Sequence, residues 1–159
     1  MAPALDRETA RAVEELRLLP HPEGGFYRET YRSPMRVPTP RGERAAMTAI
    51  HFLLPSGSFS AFHRVLSDEL WIHSGGDPLR LERLSAGGAH RPLCLGPGDH
   101  AVVPAGEWQA ARPLGPGFAL VTCVVAPGFE FADLELARRP ELERAFPGLS
   151  AEVLALARP

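Results

Sequence analysis

From Ala45 to Val125 the chain is cut by Gly and Pro into short strand-like runs, and this punctuation constrains the fold more than any other feature. Met47–Leu54 ends at Pro55-Ser56-Gly57-Ser58, Phe59–Val65 at Ser67-Asp68, and Glu69–Ser74 at Gly75-Gly76-Asp77-Pro78. Leu79–Ser85 runs to Gly87-Gly88, His90–Leu95 to Gly96-Pro97-Gly98-Asp99, and His100–Val103 to Pro104-Ala105-Gly106. Trp108–Arg112 then leads through Gly115-Pro116-Gly117 into Phe118–Val125. Evenly spaced short strands between turn residues predict an all-β antiparallel sandwich or barrel.

The flanks read differently. Ala10, Val13, Leu16 and Leu19 recur near helical spacing over Asp6–Leu19 and stop at Pro20, which predicts a short amphipathic helix. His21-Pro22-Glu23-Gly24-Gly25 is a turn, because two glycines permit backbone angles that other residues avoid. Phe26–Tyr31 alternates in character and ends at Ser33-Pro34, as a strand does. Met35–Arg44 is rich in Pro, Arg and Gly without periodicity and reads as a mobile loop. The tail from Pro140 to Ala157 returns to helical patterning through Leu142, Phe146, Leu149, Val153, Leu154 and Leu156. With 159 residues and no internal repeat or interdomain linker, the chain suits a single domain, its barrel spanning about residues 24–132.

Composition narrows the function. A formal charge of −2 provides no basic field to attract nucleic acid or an anionic membrane, and no apolar run approaches a membrane-spanning length. The charged N-terminus lacks the apolar stretch of a signal peptide. Cys94 and Cys123 lie inside apolar segments and read as reduced core residues, which makes the cytoplasm the default location. All 17 basic residues are arginine. Without lysine, a Schiff base with a substrate or pyridoxal phosphate is excluded, and mechanisms must draw on His, Asp, Glu, Tyr, Arg or a metal.

Two spacings carry a family resemblance. The first is Gly57, five residues, His63, one residue, Val65, three residues, Glu69, six residues, Gly76. The second is Gly98, five residues, Pro104, one residue, Gly106, two residues, Gln109. They resemble the two signature motifs of the cupin superfamily. The segments His21-Pro22-Glu23-Gly24-Gly25-Phe26-Tyr27, Ser67-Asp68-Glu69-Leu70-Trp71, Val103–Ala111 and Val125–Phe131 are similar to those of one largely uncharacterised cupin branch. A more distant similarity is to sugar-nucleotide epimerases of the superfamily, which work without metal. The resemblance implies a jelly-roll barrel of cupin type with a pocket in its mouth, assembled as a homodimer around a small-molecule ligand. In metal-binding cupins the four motif positions hold three histidines and one glutamate. Here they read His63, Val65, Glu69 and Gln109, so half of that set is missing and no cofactor is expected.

On a strand, alternate residues share a face, which places Ala61, His63 and Val65 together and Glu69, Trp71 and His73 together. His63 and Glu69 are therefore expected to converge as a histidine–carboxylate pair, with His63 the general base. Asp133 and Glu135 are alternative acidic partners, and surface or capping positions are the plainer assignment for both. Gln109 beside Trp108 suits recognition of a polar ring, and Trp71, Glu29, His51 and His73 complete the expected ligand-binding set. Tyr31 is the expected acid opposite the base, with Tyr27 the alternative on the same parity; an edge strand whose tyrosines bury their rings at a dimer contact is the plainer assignment. If a metal binds, its ligands are His63, Glu69 and Gln109, with His51 or His73 as a replacement. Arg28, Arg32, Arg36, Arg41 and Arg44 form a basic stretch that reads as solvated surface or as a phosphate contact. Three functions stay open on these residues: a metal-independent isomerase or epimerase acting on a carbohydrate-like or nucleotide-linked ligand, a non-enzymatic ligand-binding protein, and a residual metallo-cupin.

Overall fold

The computed structural model describes residues 5–159. Helix α1 (Arg7–Glu15) is started by Asp6, whose carboxylate accepts the Thr9 N–H at 2.9 Å. Strands β1 (Leu19–Pro20) and β2 (Phe26–Arg32) follow, then a hairpin of β3 (Arg36–Thr39) and β4 (Gly42–Ala45). The barrel continues through β5 (Thr48–Pro55), β6 (Ser60–Arg64), β7 (Asp68–Gly76), β8 (Leu79–Leu84) and β9 (Leu93–Leu95). It is completed by β10 (His100–Val103), β11 (Trp108–Pro113) and β12 (Phe118–Ala126). A 3₁₀ turn at Phe131–Asp133, the short β13 (Glu135–Leu136), α2 (Arg139–Ala145) and α3 (Ala151–Leu154) end the described chain.

Two antiparallel sheets face each other, one ordered β1-β2-β5-β12-β7-β10 and the other β13-β6-β11-β8-β9. Alternation assigns their faces. Along β12, Ala119, Val121, Cys123 and Val125 are buried while the residues between them are half-exposed. Phe52, Leu54, Trp71, Leu79, Leu81, Val103 and Val121 fill the space between the sheets. A second core lies outside the five-stranded sheet, where Phe62, Leu84 and Ala110 pack against Leu142, Phe146, Val153 and Leu154 of the C-terminal helices. Helical patterning in the tail therefore serves to cover one sheet. At the end of β7, Gly76 has φ +68°, and a Cβ there would lie 2.1 Å from the Phe118 carbonyl oxygen, so the closing turn admits no side chain.

Met35–Arg44 differs from the mobile loop expected of it. Its Pro and Arg residues form the β3–β4 hairpin, with Arg36 opposite Ala45 and Thr39 opposite Gly42. The hairpin is held down by side chains far along the chain. Arg44 donates to both oxygens of Asp133 at 2.8 and 2.9 Å, and Arg41 donates to Ser67 Oγ at 3.0 Å. Long-range ion pairing, absent from any local pattern, orders the segment. Cys94 also departs from expectation: it is exposed on β9, whereas Cys123 is buried, and both thiols are free.

Candidate functional site

A cavity of about 30 Å³, room for about two water molecules, opens between the sheets at the barrel mouth. His63 on β6, Glu69 on β7, Cys123 on β12 and Tyr27 on β2 line it, together with His21 and Glu23 from the turn before β2. Val65 and Phe129 are among its apolar walls. The turn reaches the cavity through close backbone contact. Gly24 has φ +113°, and a Cβ there would sit 2.1 Å from the Phe59 carbonyl oxygen. The Ala61 N–H donates to the Glu23 carbonyl at 2.7 Å, which ties the turn to β6 beside His63.

The acidic partner of His63 is Glu23. His63 Nδ1 is 2.8 Å from the Ala61 carbonyl, an acceptor only, so this nitrogen carries the proton and donates. Nε2 is then the acceptor, and it faces Glu23 Oε2 at 3.2 Å. Two acceptors at that distance need a proton between them. Burial pushes the Glu23 carboxyl up to about 8, with the Ser60 hydroxyl bond and the Arg158 charge opposing. The Ser60 hydroxyl donates to Glu23 Oε1 at 2.8 Å. Burial also pushes the His63 imidazolium down, against the charge of Glu69 and the bond to Ala61. At neutral pH the stable arrangement is thus a neutral Glu23 donating from Oε2 to a neutral His63.

Glu69 is held differently. Trp71 Nε1 donates to Gln109 Oε1 at 2.7 Å, which turns the amide so that Nε2 donates to Glu69 Oε2 at 2.5 Å. Burial raises the Glu69 carboxyl to about 7, while the His63 charge and the bonds from Gln109 and Cys123 lower it. Burial also raises the Cys123 thiol well above its usual range, leaving it an S–H donor toward Glu69. His21 accepts the Glu23 N–H on Nδ1 at 3.2 Å, and burial pushes its pKa down to about 4. The cavity therefore gathers two carboxyls titrating near neutrality and two neutral imidazoles.

A second chamber of about 240 Å³ lies outside the first and shares Tyr27, Ile50 and Phe129 with it. Glu29, Arg32, Glu130 and Phe131 form its rim. Arg32 joins Glu29 at 2.7 Å to Glu130 at 3.0 Å.

The expected site residues are thus divided. His63 and Glu69 meet in the cavity, but the carboxyl within reach of the imidazole belongs to Glu23. Asp133 is engaged by Arg44 and Arg41, and Glu135 by Arg64. Gln109 and Trp71 stand fully buried behind Glu69, orienting it. Glu29 sits at the rim of the outer chamber.

Tyr31 is nearly half exposed on the other face of β2. The register explains it: Glu29 pairs with Ile50 and Tyr31 with Ala49, so Thr30 is an extra, bulged residue that reverses parity. Tyr27, ahead of the bulge, is the tyrosine in the cavity. His51 pairs with Thr122 and Arg28 on the outer face of the six-stranded sheet. His73 lies beyond Trp71 on β7, its Nε2 2.9 Å from the Asp77 carbonyl. Trp108 faces the C-terminal helices, with the Arg64 guanidinium 4.5 Å above its ring. In the basic stretch, Arg28 donates to the Leu16 carbonyl, while Arg32, Arg41 and Arg44 are spent on carboxylates. His21, Glu23 and Cys123 were missed as site residues. The sequence signals for the first two were their place in a turn with two glycines and in a segment similar to that of the cupin branch, neither of which assigns them a role.

Residues 10–137 match the family described as Cupin superfamily (DUF985). The chain belongs to this cupin family. A hypothetical protein from Leishmania major is 31% identical over 94% of this chain and 98% of its own, with a TM-score of 0.86. A Shewanella oneidensis protein is 35% identical over 94% and 96%, with a TM-score of 0.85. An oxalate decarboxylase from Lactobacillus farciminis, solved with formate, shares the fold at 12% identity and a TM-score of 0.60, over 92% of this chain and 43% of its own. No curated protein matches the chain.

The metal of other cupins does not fit this member's side chains. Val65 offers no donor atom, and Gln109 presents its N–H toward Glu69 while its oxygen is occupied by Trp71. His63 Nε2 is taken up by Glu23. Among the described residues no three His, Cys, Asp or Glu are placed to hold a metal ion. The groups facing the cavity are instead hydrogen-bonded to one another and to the backbone. No helix of the described residues is long and apolar enough to cross a membrane.

Proposed function

We propose that this cupin is a metal-independent proton-transfer protein, an isomerase or epimerase in type, acting on a small carbohydrate-like ligand. The observation that carries the reading is the Glu23 Oε2–His63 Nε2 contact of 3.2 Å, with Nδ1 locked on Ala61. A carbonyl oxygen entering the cavity can take the Glu23 proton. That transfer frees the Nε2 lone pair, which then removes the proton from the adjacent carbon as His63 becomes imidazolium and Glu23 a carboxylate. Return of the proton to the other face or the other carbon completes an epimerisation or isomerisation. Glu69, titrating near 7, stabilises the imidazolium. The inner cavity admits only the reacting end of such a molecule, and the remainder occupies the outer chamber. A nucleotide-linked ligand is less well served, since among the described residues Arg32 is the one cation lining either chamber and is already bound by two carboxylates.

The test is solvent deuterium incorporation into a panel of aldoses, ketoses and nucleotide sugars, followed by NMR. His63→Ala and Glu23→Gln are expected to slow exchange by about 10²–10⁴-fold. Ligand binding without exchange in the unaltered protein would replace this reading with a purely binding role.

Two wider features belong to the same proposal. Tyr31, Ala49, Val124, Leu70 and Val102 lie in register across five strands of the outer face, an incompletely covered row suited to pairing with a second copy. Free Cys94 and Cys123 suit a reducing, cytoplasmic compartment.

A further inference from the structure

We propose that the outer chamber selects a small organic cation of the ammonium type, a protonated amine or a quaternary ammonium, as the head group of the ligand. The inference rests on the reading that the inner cavity receives the reacting end of that ligand.

The chamber's walls are aromatic. Tyr27 and Phe131 have ring centroids 6.4 Å apart at 78°, and Phe129 and Phe131 are 5.1 Å apart at 81°. These are edge-to-face contacts, which pack the rings together while leaving ring faces that they do not cover in one another. His21 extends the same wall inward, 4.6 Å from Tyr27. Phe131 is 50% exposed although fully apolar, so its ring is available to something the chamber receives.

The charges point to the sign of the head group. Glu29 and Glu130 place two carboxylates on the rim against one guanidinium. Arg32 is committed: Nε and Nη2 donate to Glu29, Nη1 to Glu130, and Nη2 also to the Phe129 carbonyl at 3.0 Å. The chain has no lysine, and the nearby Arg41 and Arg44 are bound to Asp133. Deeper in, His21 and His63 are neutral. An anion would therefore meet π-faces and carboxylates with one saturated cation, and a neutral group would gain only apolar contact. A cation gains the ring quadrupoles and the net negative rim together.

The experiment titrates the protein with choline, with its uncharged isostere 3,3-dimethyl-1-butanol, and with acetate, following the ring signals of Tyr27, Phe129 and Phe131 by NMR. Choline should bind about tenfold more tightly than the isostere, and acetate should not shift these rings. Added salt, Glu130→Gln and Phe131→Ala should each weaken choline, whereas Phe131→Tyr should retain it. Phe131 packs on Tyr27 and Phe129, so Phe131→Ala should lower thermal stability, whereas Glu130→Gln, at an exposed ion pair, should change it little and decides if Phe131→Ala fails to fold. Equal binding of the isostere, preference for acetate, or no choline binding at millimolar concentration overturns the proposal. Choline binding with no deuterium exchange across the sugar panel would sink the proton-transfer reading and leave this one standing. Exchange on neutral sugars without choline binding would do the reverse.

Discussion

Glu23 and His63 illustrate how burial sets protonation, and the consequence is a stability that depends on pH. Glu23 and Glu69, raised from 4.5 to about 8 and about 7, hold protons in the fold that the unfolded chain releases. His21 and His63, lowered from 6.5, lack protons that the unfolded chain binds. Between about 4.5 and 6.5 the two effects oppose each other, because stability falls with pH for the carboxyls and rises for the histidines. Above 6.5 only the carboxyl effect remains, and stability should fall by about 2 kcal/mol until Glu23 ionises near 8. Urea unfolding at pH 6.5 and 8.5 measures it, and Glu23→Gln should remove most of the decline. One bond away, Trp71→Phe leaves the buried Gln109 oxygen without its donor. The expected loss is about 1–3 kcal/mol by the same measurement, whereas a cost near zero would mean that Gln109 finds another donor.

Among the elements, β2 and the β3–β4 hairpin show why local pattern reached only part of the site. Alternation along β2 correctly places Tyr27 and Glu29 on one face, but the bulge at Thr30 is set by pairing with β5 and turns Tyr31 outward. The hairpin reads as loop because its Pro and Arg residues disfavour strands, and Asp133, far along the chain, holds it in place. Arg44→Ala should therefore loosen the hairpin alone. Amide exchange over residues 36–45 is expected to rise at least about tenfold while the β5, β7 and β12 amides stay protected. Uniform acceleration would instead make the ion pair part of the global fold.

At the scale of the molecule, the two sheets are covered unequally. Helices α2 and α3 pack on the five-stranded sheet, while the six-stranded sheet leaves Val102 48% exposed and Leu70 and Val124 only partly buried at the surface. If that face joins two copies, Val102→Glu should convert a dimer to a monomer in sedimentation equilibrium, with the fold intact by circular dichroism. A monomer in the unaltered protein sinks the pairing.

The nine principal barrel strands, the terminal helices and the cupin family were legible from the sequence because they rest on alternation, Gly and Pro placement and motif spacing, all local; the short β1, β3, β4 and β13 were not. The address of the pocket at His63 and Glu69 was legible too. The two departures from the metal-binding motif, Val65 and Gln109, were equally visible. Which carboxyl meets His63, which tyrosine faces inward and where the arginines are spent were decided by tertiary structure. Each depends on strand register and on contacts between distant segments, and a one-residue bulge or a glycine turn pressed against β6 is enough to change the answer.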